Sequence, residues 1–216
     1  MQRRILRGLL ACVLLVGSAR AALDPALVER AEKGDAEAQL NLGLIHARGD
    51  GVPADMDVAV KWFRKAAGQG NSYAQFNLGV ACFNGTGAPK DSTEAVKWYR
   101  ESAEQGYVDA QIKVGILYDL GLGVPKDPVE AVKWYRLAAG QREAFSHFLI
   151  GKHYFEGDGV TNDYVEAHAW TEVAAAMGQK LAKELLPLIE YQMTREQMAE
   201  AAELAKERFA KINKKT

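Results

Sequence analysis

The chain has 216 residues, of which 27 are Lys or Arg and 28 are Asp or Glu, so its formal net charge is −1. Four of the basic residues lie within residues 1–21, and the remaining 195 residues carry 23 basic against 28 acidic side chains, a net charge near −5. Nucleic acids are bound by positively charged faces, so this balance argues against a nucleic-acid partner.

Residues 1–21 have the three parts of a secretory signal peptide. Three arginines within residues 3–7 precede an apolar run, Leu9 to Val16, which is shorter than the roughly 20 residues of a membrane-spanning helix. Residues 19–21, Ala-Arg-Ala, form the small-residue cleavage pattern. We therefore predict cleavage after Ala21 and a periplasmic or secreted product that is not transmembrane. A lipoprotein anchored through Cys12 is the less favoured alternative, because the apolar run continues beyond it.

Cys82 is the one cysteine that remains after this cleavage. A single thiol cannot form an intramolecular disulfide, so packing must supply the stability of the fold. Since cysteine is among the most buried residue types, we predict that Cys82 is a small buried side chain and not a reactive thiol.

A 36-residue period follows the signal peptide. The heptapeptide EAVKWYR occurs at 94–100 and again at 130–136, and glycines lie in register at 34, 70, 106 and 178, with Arg142 in the remaining position. The period predicts four units, whose bounds are 34–69, 70–105, 106–141 and 142–177.

Each unit reads as two helices joined by a G-x-G loop. An apolar residue every three to four positions predicts the first helix, and the loop glycines supply positive φ. Asp91, Asp127 and Asp163 predict N-caps of second helices, with Glu94 and Glu130 reaching back as capping boxes. On each second helix, a tryptophan is expected to fill the space beside small residues. A helix pair of this kind cannot bury its flanks alone, so the units must stack as a solenoid.

Both ends of the array have the sequence pattern of capping helices, which cover the terminal repeats of a solenoid. Residues 22–33 resemble a second helix without its first, and residues 178–216 begin a degenerate fifth unit. There we expect a leucine row to pack on unit four near a kink at Pro187, and a last helix to begin at a capping box of Thr194 and Gln197. The leucine row consists of Leu181, Leu185 and Leu188.

The combined motif resembles the Sel1-like repeat family, which is related to the tetratricopeptide repeats. The resemblance is carried by A-x-x-x-L-G at 38–43 and 74–79, the loops GDGVP at 49–53 and GLGVPKD at 121–127, and EAVKWYR with the small pair that follows it. It covers residues 34–178. It implies an all-α fold, a right-handed α/α solenoid of about four Sel1-like helix pairs with N- and C-terminal capping helices.

The sequence contains no cluster of catalytic or metal-binding residues. His46, His147, His153 and His168 are scattered and form no metal-ligand motif, and no nucleophile elbow, Walker A loop or C-x-x-C is present. Some cysteine-rich relatives act on β-lactams, but their paired cysteines are absent here. We therefore predict a non-enzymatic protein without metal or cofactor.

The resemblance also implies a concave face, formed by the first helices, that holds peptides or protein surfaces. By register this face is unusually apolar, which is typical of a protein contact. Phe76, Ile112 and Phe148 could instead pack between neighbouring first helices. The predicted protein-binding residues are Tyr73, Phe76, Val80, Phe83, Ile112, Ile116, Leu120, Phe145, Phe148, Lys152 and Phe155.

The favoured hypothesis is an exported, monomeric adaptor that binds a protein partner through this face. One alternative is an immunity protein that neutralises a toxic periplasmic effector such as a phospholipase. A second is an envelope hydrolase of peptidoglycan or β-lactam type, which would need Asp109, Asp119 and Glu156, three carboxylates that the register places on this face, to come together. A third is a structural oligomer whose face is covered by the C-terminal helix or by another copy.

Overall fold

The computed structural model describes residues 23–213, and within this range the chain forms eleven helices and no strand. The predicted signal peptide lies outside the described residues. The helices are α1 (Pro25–Glu32), α2 (Ala36–Arg48), α3 (Met56–Gly68), α4 (Ser72–Asn84), α5 (Ser92–Glu104), α6 (Val108–Leu120), α7 (Pro128–Ala139), α8 (Ala144–Glu156), α9 (Tyr164–Ala176), α10 (Lys180–Glu190) and α11 (Arg195–Asn213).

The helices pack in chain order, each against the next from α1 to α10, while α11 returns to pack on α9. One continuous hydrophobic cluster runs through the first three units, from Leu40 to Trp134. The predicted all-α solenoid is confirmed. Each of the pairs α2–α3, α4–α5, α6–α7 and α8–α9 lies within one 36-residue period.

Aspartates start the second helices, as predicted. Asp91 accepts hydrogen bonds from the amides of Thr93 and Glu94, and Asp55, Asp127 and Asp163 each cap one amide. The reciprocal half of the capping box was predicted wrongly. The Asp91 amide donates to the Cys82 carbonyl of the first helix (2.9 Å), because the loop runs back along that helix, and Glu94 therefore binds other groups.

Backbone conformation repeats with the same period. Both glycines of each G-x-G loop have φ near +70 to +80° (Gly49 and Gly51 are examples, at 79° and 78°), where residues with a Cβ are disfavoured. Arg142, in the register of the unit-start glycines, adopts φ 68°. The turn therefore holds Arg142 in the left-handed backbone conformation, which residues other than glycine adopt rarely.

The residue after each tryptophan, and not the tryptophan itself, fills the space between the two helices of a unit. Phe63, Tyr99, Tyr135 and Thr171 are at most 2% exposed and face Gly43, Gly79, Gly115 and Gly151 on the first helices. Trp62, Trp98 and Trp170 stay half-buried, whereas Trp134 is buried in the core, at 8% exposure. A Cβ added at Gly79 would lie 2.8 Å from Cδ1 of the Tyr99 ring.

Buried glutamines connect consecutive units. Gln75 is 4% exposed; its Nε2 donates to the Ala67 carbonyl of the previous unit (3.4 Å), and its Oε1 accepts from Gln105 Nε2 (2.6 Å). The pairs Gln39–Gln69 and Gln111–Gln141 repeat this relay. In unit four, His147 and Met177 stand in these two positions, so the relay ends there.

The interface of units three and four contains a buried polar cluster. Asp119 Oδ2 accepts hydrogen bonds from the Tyr135 hydroxyl (2.6 Å) and from His153 Nε2 (3.1 Å). His153 Nδ1 lies 2.7 Å from the Asp158 carbonyl oxygen. Both ring nitrogens face acceptors, so the protonated ring satisfies both contacts. One unit earlier, the same two positions hold Phe83 and Leu117, an apolar pair.

The C-terminal leucine row faces α8 of unit four, but it is less buried than the prediction implied. Ala182 and Ile189 are the fully buried residues of α10, whereas Leu181 and Leu188 are 45% and 58% exposed. Because the Ala182 side chain is smaller than leucine, α10 can lie close to α9 with this residue buried between them. The leucine row therefore faces α8 and solvent. The capping box of Thr194 and Gln197 is present, with both backbone amides bonded to the opposite side chain.

Gly79→Ala tests the close contact between the helices of a unit. The new methyl group would overlap the buried Tyr99 ring, so we expect the free energy of unfolding to fall by ~1–3 kcal/mol in urea titrations. Gly68→Ala is the matched control, since a Cβ at this helical glycine meets nothing within 4 Å and should leave stability equal or raise it by up to about 1 kcal/mol. Equal effects would contradict the role given to Gly79.

The pH dependence of stability tests the His153 contact. Burial alone lowers the pKa of His153, but its hydrogen bonds to Asp119 and to the Asp158 carbonyl, with the attraction of both carboxylates, raise it above the ordinary value of 6.5. The stabilisation is therefore complete below about pH 6.5 and is lost as the pH rises through the folded-state pKa.

We expect the double variant Asp119→Phe/His153→Leu, which copies the apolar pair of the preceding unit, to lack this loss between pH 6 and 9. Urea unfolding of both chains across this range measures the difference. Parallel pH profiles of the two proteins would contradict the assignment.

Candidate functional site

The first helices of neighbouring units hold an aromatic group at the start of the predicted binding face. Tyr73 is 55% exposed, and its ring centroid lies 4.8 Å from that of Tyr107. Phe76 contacts the same Tyr107 ring edge-on at 5.0 Å. Tyr107, which sequence reasoning missed, has its pKa raised to about 12 because the ring is partly buried and its hydroxyl bonds Asp109.

An apolar cleft lies between α4 and α6. It has a volume of about 200 Å³ and is lined by Phe83, Ile116 and Leu120 from the predicted set, together with Lys113 and Leu122. Leu120 is 62% exposed and therefore contributes little to the core. We call this the α4/α6 cleft.

A second apolar cleft lies between α8 and α10. Its volume is about 310 Å³, and Phe148, Lys152 and Phe155 line it from the α8 side. Leu181, Leu185 and Leu188 line it from α10, and the first and last of these are exposed. We call this the α8/α10 cleft. Its only charges come from Lys152, Glu156 and Glu184, and Lys152 and Glu156 lie 3.4 Å apart as an ion pair.

Most of the predicted binding residues line one of the two clefts or belong to the aromatic group, and two of them pack inward. Phe83, Ile116 and Leu120 line one cleft, and Phe148, Lys152 and Phe155 line the other. Tyr73 and Phe76 form the aromatic group, and Phe145 stacks on Phe148 at 5.9 Å. Val80 and Ile112 pack inward, with Ile112 only 9% exposed. Their role in binding a partner stays a prediction.

One sequence signal could have identified a residue that the prediction missed. Leu122 lies between the glycines of its loop, where the other units have Asp50, Thr86 and Asp158. A leucine at an exposed turn position contributes nothing to a core, so it indicates a contact surface. No sequence signal indicated that the α10 leucines line a cleft, because their spacing is equally consistent with full burial against unit four.

The carboxylates proposed for a hydrolase each bind a different partner. Asp109 accepts from the Tyr107 hydroxyl (3.1 Å), Asp119 binds Tyr135 and His153, and Glu156 pairs with Lys152. Asp119 does not lie on the exposed face where its register placed it, because its side chain turns inward toward unit four. Within residues 23–213, no three His, Cys, Asp or Glu side chains are arranged so that they could hold a metal ion.

Two further observations concern the reactivity of Cys82 and whether a described helix could span a membrane. Cys82 is fully buried, and burial raises its pKa to about 11, which leaves it a thiol at neutral pH. Among the described helices, none combines the length and apolar character needed to cross a bilayer.

Comparisons with known proteins agree with this architecture. The Sel1 repeat family model matches residues 36–71, 72–107, 108–142 and 144–179. No curated protein sequence matches the chain.

The similar solved structures include the following two. One is c5321, a protective antigen present in uropathogenic Escherichia coli strains that has an SLR fold, with 32% identity and a TM-score of 0.77 over 86% of this chain and 40% of that one. The other is a Sel1 repeat protein from Oxalobacter formigenes, with 37% identity and a TM-score of 0.72 over 74% of this chain and 66% of that one. The chain thus spans less than half of the first relative's length.

Sel1 repeat proteins generally mediate protein–protein interactions and are typically non-catalytic scaffolds. Four helix pairs with the family's loops, the match of all four repeats to the family model and the two similar structures lead to one conclusion: the chain belongs to the Sel1 repeat family.

Proposed function

We propose that the chain is an exported adaptor that binds a protein partner through its first-helix face and carries out no catalysis. The observation that carries this proposal is the pair of apolar clefts on that face. Their most exposed members, Leu120 and Leu188, are about 60% accessible, so the solenoid does not need them for its own packing.

The chemistry of the clefts indicates the kind of surface that binds. Aromatic and aliphatic side chains bordered by a few charges resemble the apolar centre and polar rim of protein interfaces. A partner that presents apolar side chains, for example along one face of a helix, would bury this area and gain the corresponding hydrophobic free energy.

The alternative functions can be compared with the adaptor by what each of them requires of the first-helix face. A hydrolase requires a reactive group in a cleft, and the carboxylates considered for that role are engaged elsewhere. An immunity protein and an assembly scaffold both require a partner on the first-helix face, so the identity of the partner distinguishes them.

Charge placed in the clefts tests the adaptor proposal. We expect Leu120→Asp/Leu188→Asp to weaken partner binding by ~2 kcal/mol or more, because a partner would have to desolvate the new carboxylates. The measurement is retention of envelope proteins by the purified chain, followed by mass spectrometry and titration of the retained protein.

Val129→Asp/Leu137→Asp is the matched control. These two residues of α7 are 52% and 53% exposed and line neither cleft. A protein retained by the native chain and by the control, but lost by the cleft variant, supports the proposal. A partner that both variants retain equally would place binding elsewhere, and size-exclusion chromatography of each variant excludes changes in association state.

Export is proposed from the sequence of residues 1–21. We expect the chain in the periplasmic fraction with a mass that begins at Ala22, and accumulation of the precursor when Ala19→Leu/Ala21→Leu blocks the cleavage pattern. Cys12→Ala is the control, which should leave processing unchanged. Labelling by fatty acid that depends on Cys12 would establish the lipoprotein alternative instead.

A further inference from the structure

The capped end of the solenoid contains a third cleft, which shares no lining residue with the clefts of the first-helix face. It has a volume of about 220 Å³ and lies where α7, α8, α9 and α11 meet. We call it the end cleft. Its main lining side chains are Arg136, His147, Trp170, Arg208, Lys211 and Ile212.

Positive charge exceeds negative charge in the end cleft. Arg208 pairs with Glu166 at 2.5 Å and lies 4.3 Å from the centroid of the Trp170 ring. Arg136 donates to a neutral group, the Tyr154 hydroxyl, at 2.7 Å. Lys211 forms no ion pair with any described residue. One carboxylate therefore balances three cations, on a chain whose net charge is −1.

Two groups in the cleft have unused hydrogen-bonding capacity. Arg208 Nη1 is buried and bonds no described residue. His147 is 2% exposed, and its Nδ1 lies 2.8 Å from the Glu143 carbonyl oxygen, to which it must donate. Burial lowers the pKa of His147, so the ring is neutral and its Nε2 is an acceptor. The cleft thus offers cationic donors and one neutral acceptor.

Apolar surface completes the site. The Trp170 ring and the Ile212 side chain line the same cleft, so a ligand made only of charged atoms would leave this area uncovered. The volume is below the ~300–1,000 Å³ of pockets that hold drug-sized ligands. A ligand of one or two residues is the appropriate size.

We propose that the end cleft binds the carboxylate end of a peptide. The terminal carboxylate would lie against Arg136, Arg208 and Lys211, and its last amide N–H would face His147 Nε2. The terminal side chain would lie against Trp170 and Ile212. Inorganic phosphate fits less well, because it has no apolar group to cover Trp170 and Ile212.

Calorimetric titration of the purified chain with N-acetyl-leucine tests this proposal, with N-acetyl-leucinamide as the uncharged probe. We expect saturable binding of the carboxylate at millimolar concentration and at least tenfold weaker binding of the amide. Binding of the carboxylate should also weaken as salt is added, since opposite charges attract in a solvent-accessible cleft.

Arg136→Gln/Lys211→Ala should weaken N-acetyl-leucine binding at least tenfold. Neither residue holds α11 in place, because the Glu166 contact belongs to Arg208. Arg100→Gln is the matched control: Arg100 donates to the Tyr118 hydroxyl as Arg136 does to Tyr154, one unit earlier and outside the cleft. This control should change the affinity less than twofold.

Three results would overturn the proposal. The first is the absence of saturable binding by the native chain at millimolar N-acetyl-leucine. The second is equal affinity for the carboxylate and the amide. The third is binding of inorganic phosphate as tight as that of N-acetyl-leucine, with the same loss in Arg136→Gln/Lys211→Ala. Unchanged thermal unfolding of each variant shows that lost binding does not reflect lost structure.

Discussion

The contact between a first-helix glycine and the buried side chain after the tryptophan determines the geometry of every unit. At Gly79 the absent Cβ lets the helix backbone approach the Tyr99 ring closely, and the same pairing recurs in each unit. Because these side chains fill the space within a helix pair, the outer positions of the first helices are not needed for that packing. Apolar residues such as Leu120 can therefore remain exposed there, and they form the surface to which we assign partner binding.

Contacts between units are more varied than contacts within them. Three units use a buried glutamine relay, which satisfies backbone carbonyls as well as side chains and so compensates for burying polar groups. Unit four has His147 and Met177 in those positions, so the relay does not continue across the interface of units three and four. The same departure leaves the His147 ring lining the end cleft. At the interface of units three and four, Asp119 and His153 replace an apolar pair, and we expect this contact to make the stacking of unit four dependent on pH.

Sequence periodicity was sufficient to predict the helix pairs, their loops and their capping aspartates, because these features depend on residues close in sequence. It was insufficient where a side chain's partner lies in another unit. Asp119 was assigned to the exposed face by register, but His153, 34 residues later, draws it inward. The side of α10 that faces α9 likewise depends on a contact between two units, because the small side chain of Ala182 lets the two helices approach closely. The end cleft could not be predicted at all, since α11 has no repeat register and its position depends on packing against α9, through the apolar cluster of Ala169, Val173 and Ala205 and the Arg208–Glu166 contact.

One helix, α8, contributes to both kinds of surface. His147, near its N-terminus, lines the end cleft, whereas Phe148 and Phe155 line the α8/α10 cleft. The forces at the two sites differ: burial of apolar surface depends weakly on salt, while attraction between a carboxylate and exposed cations is screened at physiological ionic strength. A partner held at both sites would gain affinity through effective concentration without any new contact, and added salt would then remove the contribution of the end cleft while the apolar contribution persisted. The salt dependence of partner binding therefore separates the two surfaces even though they share a helix.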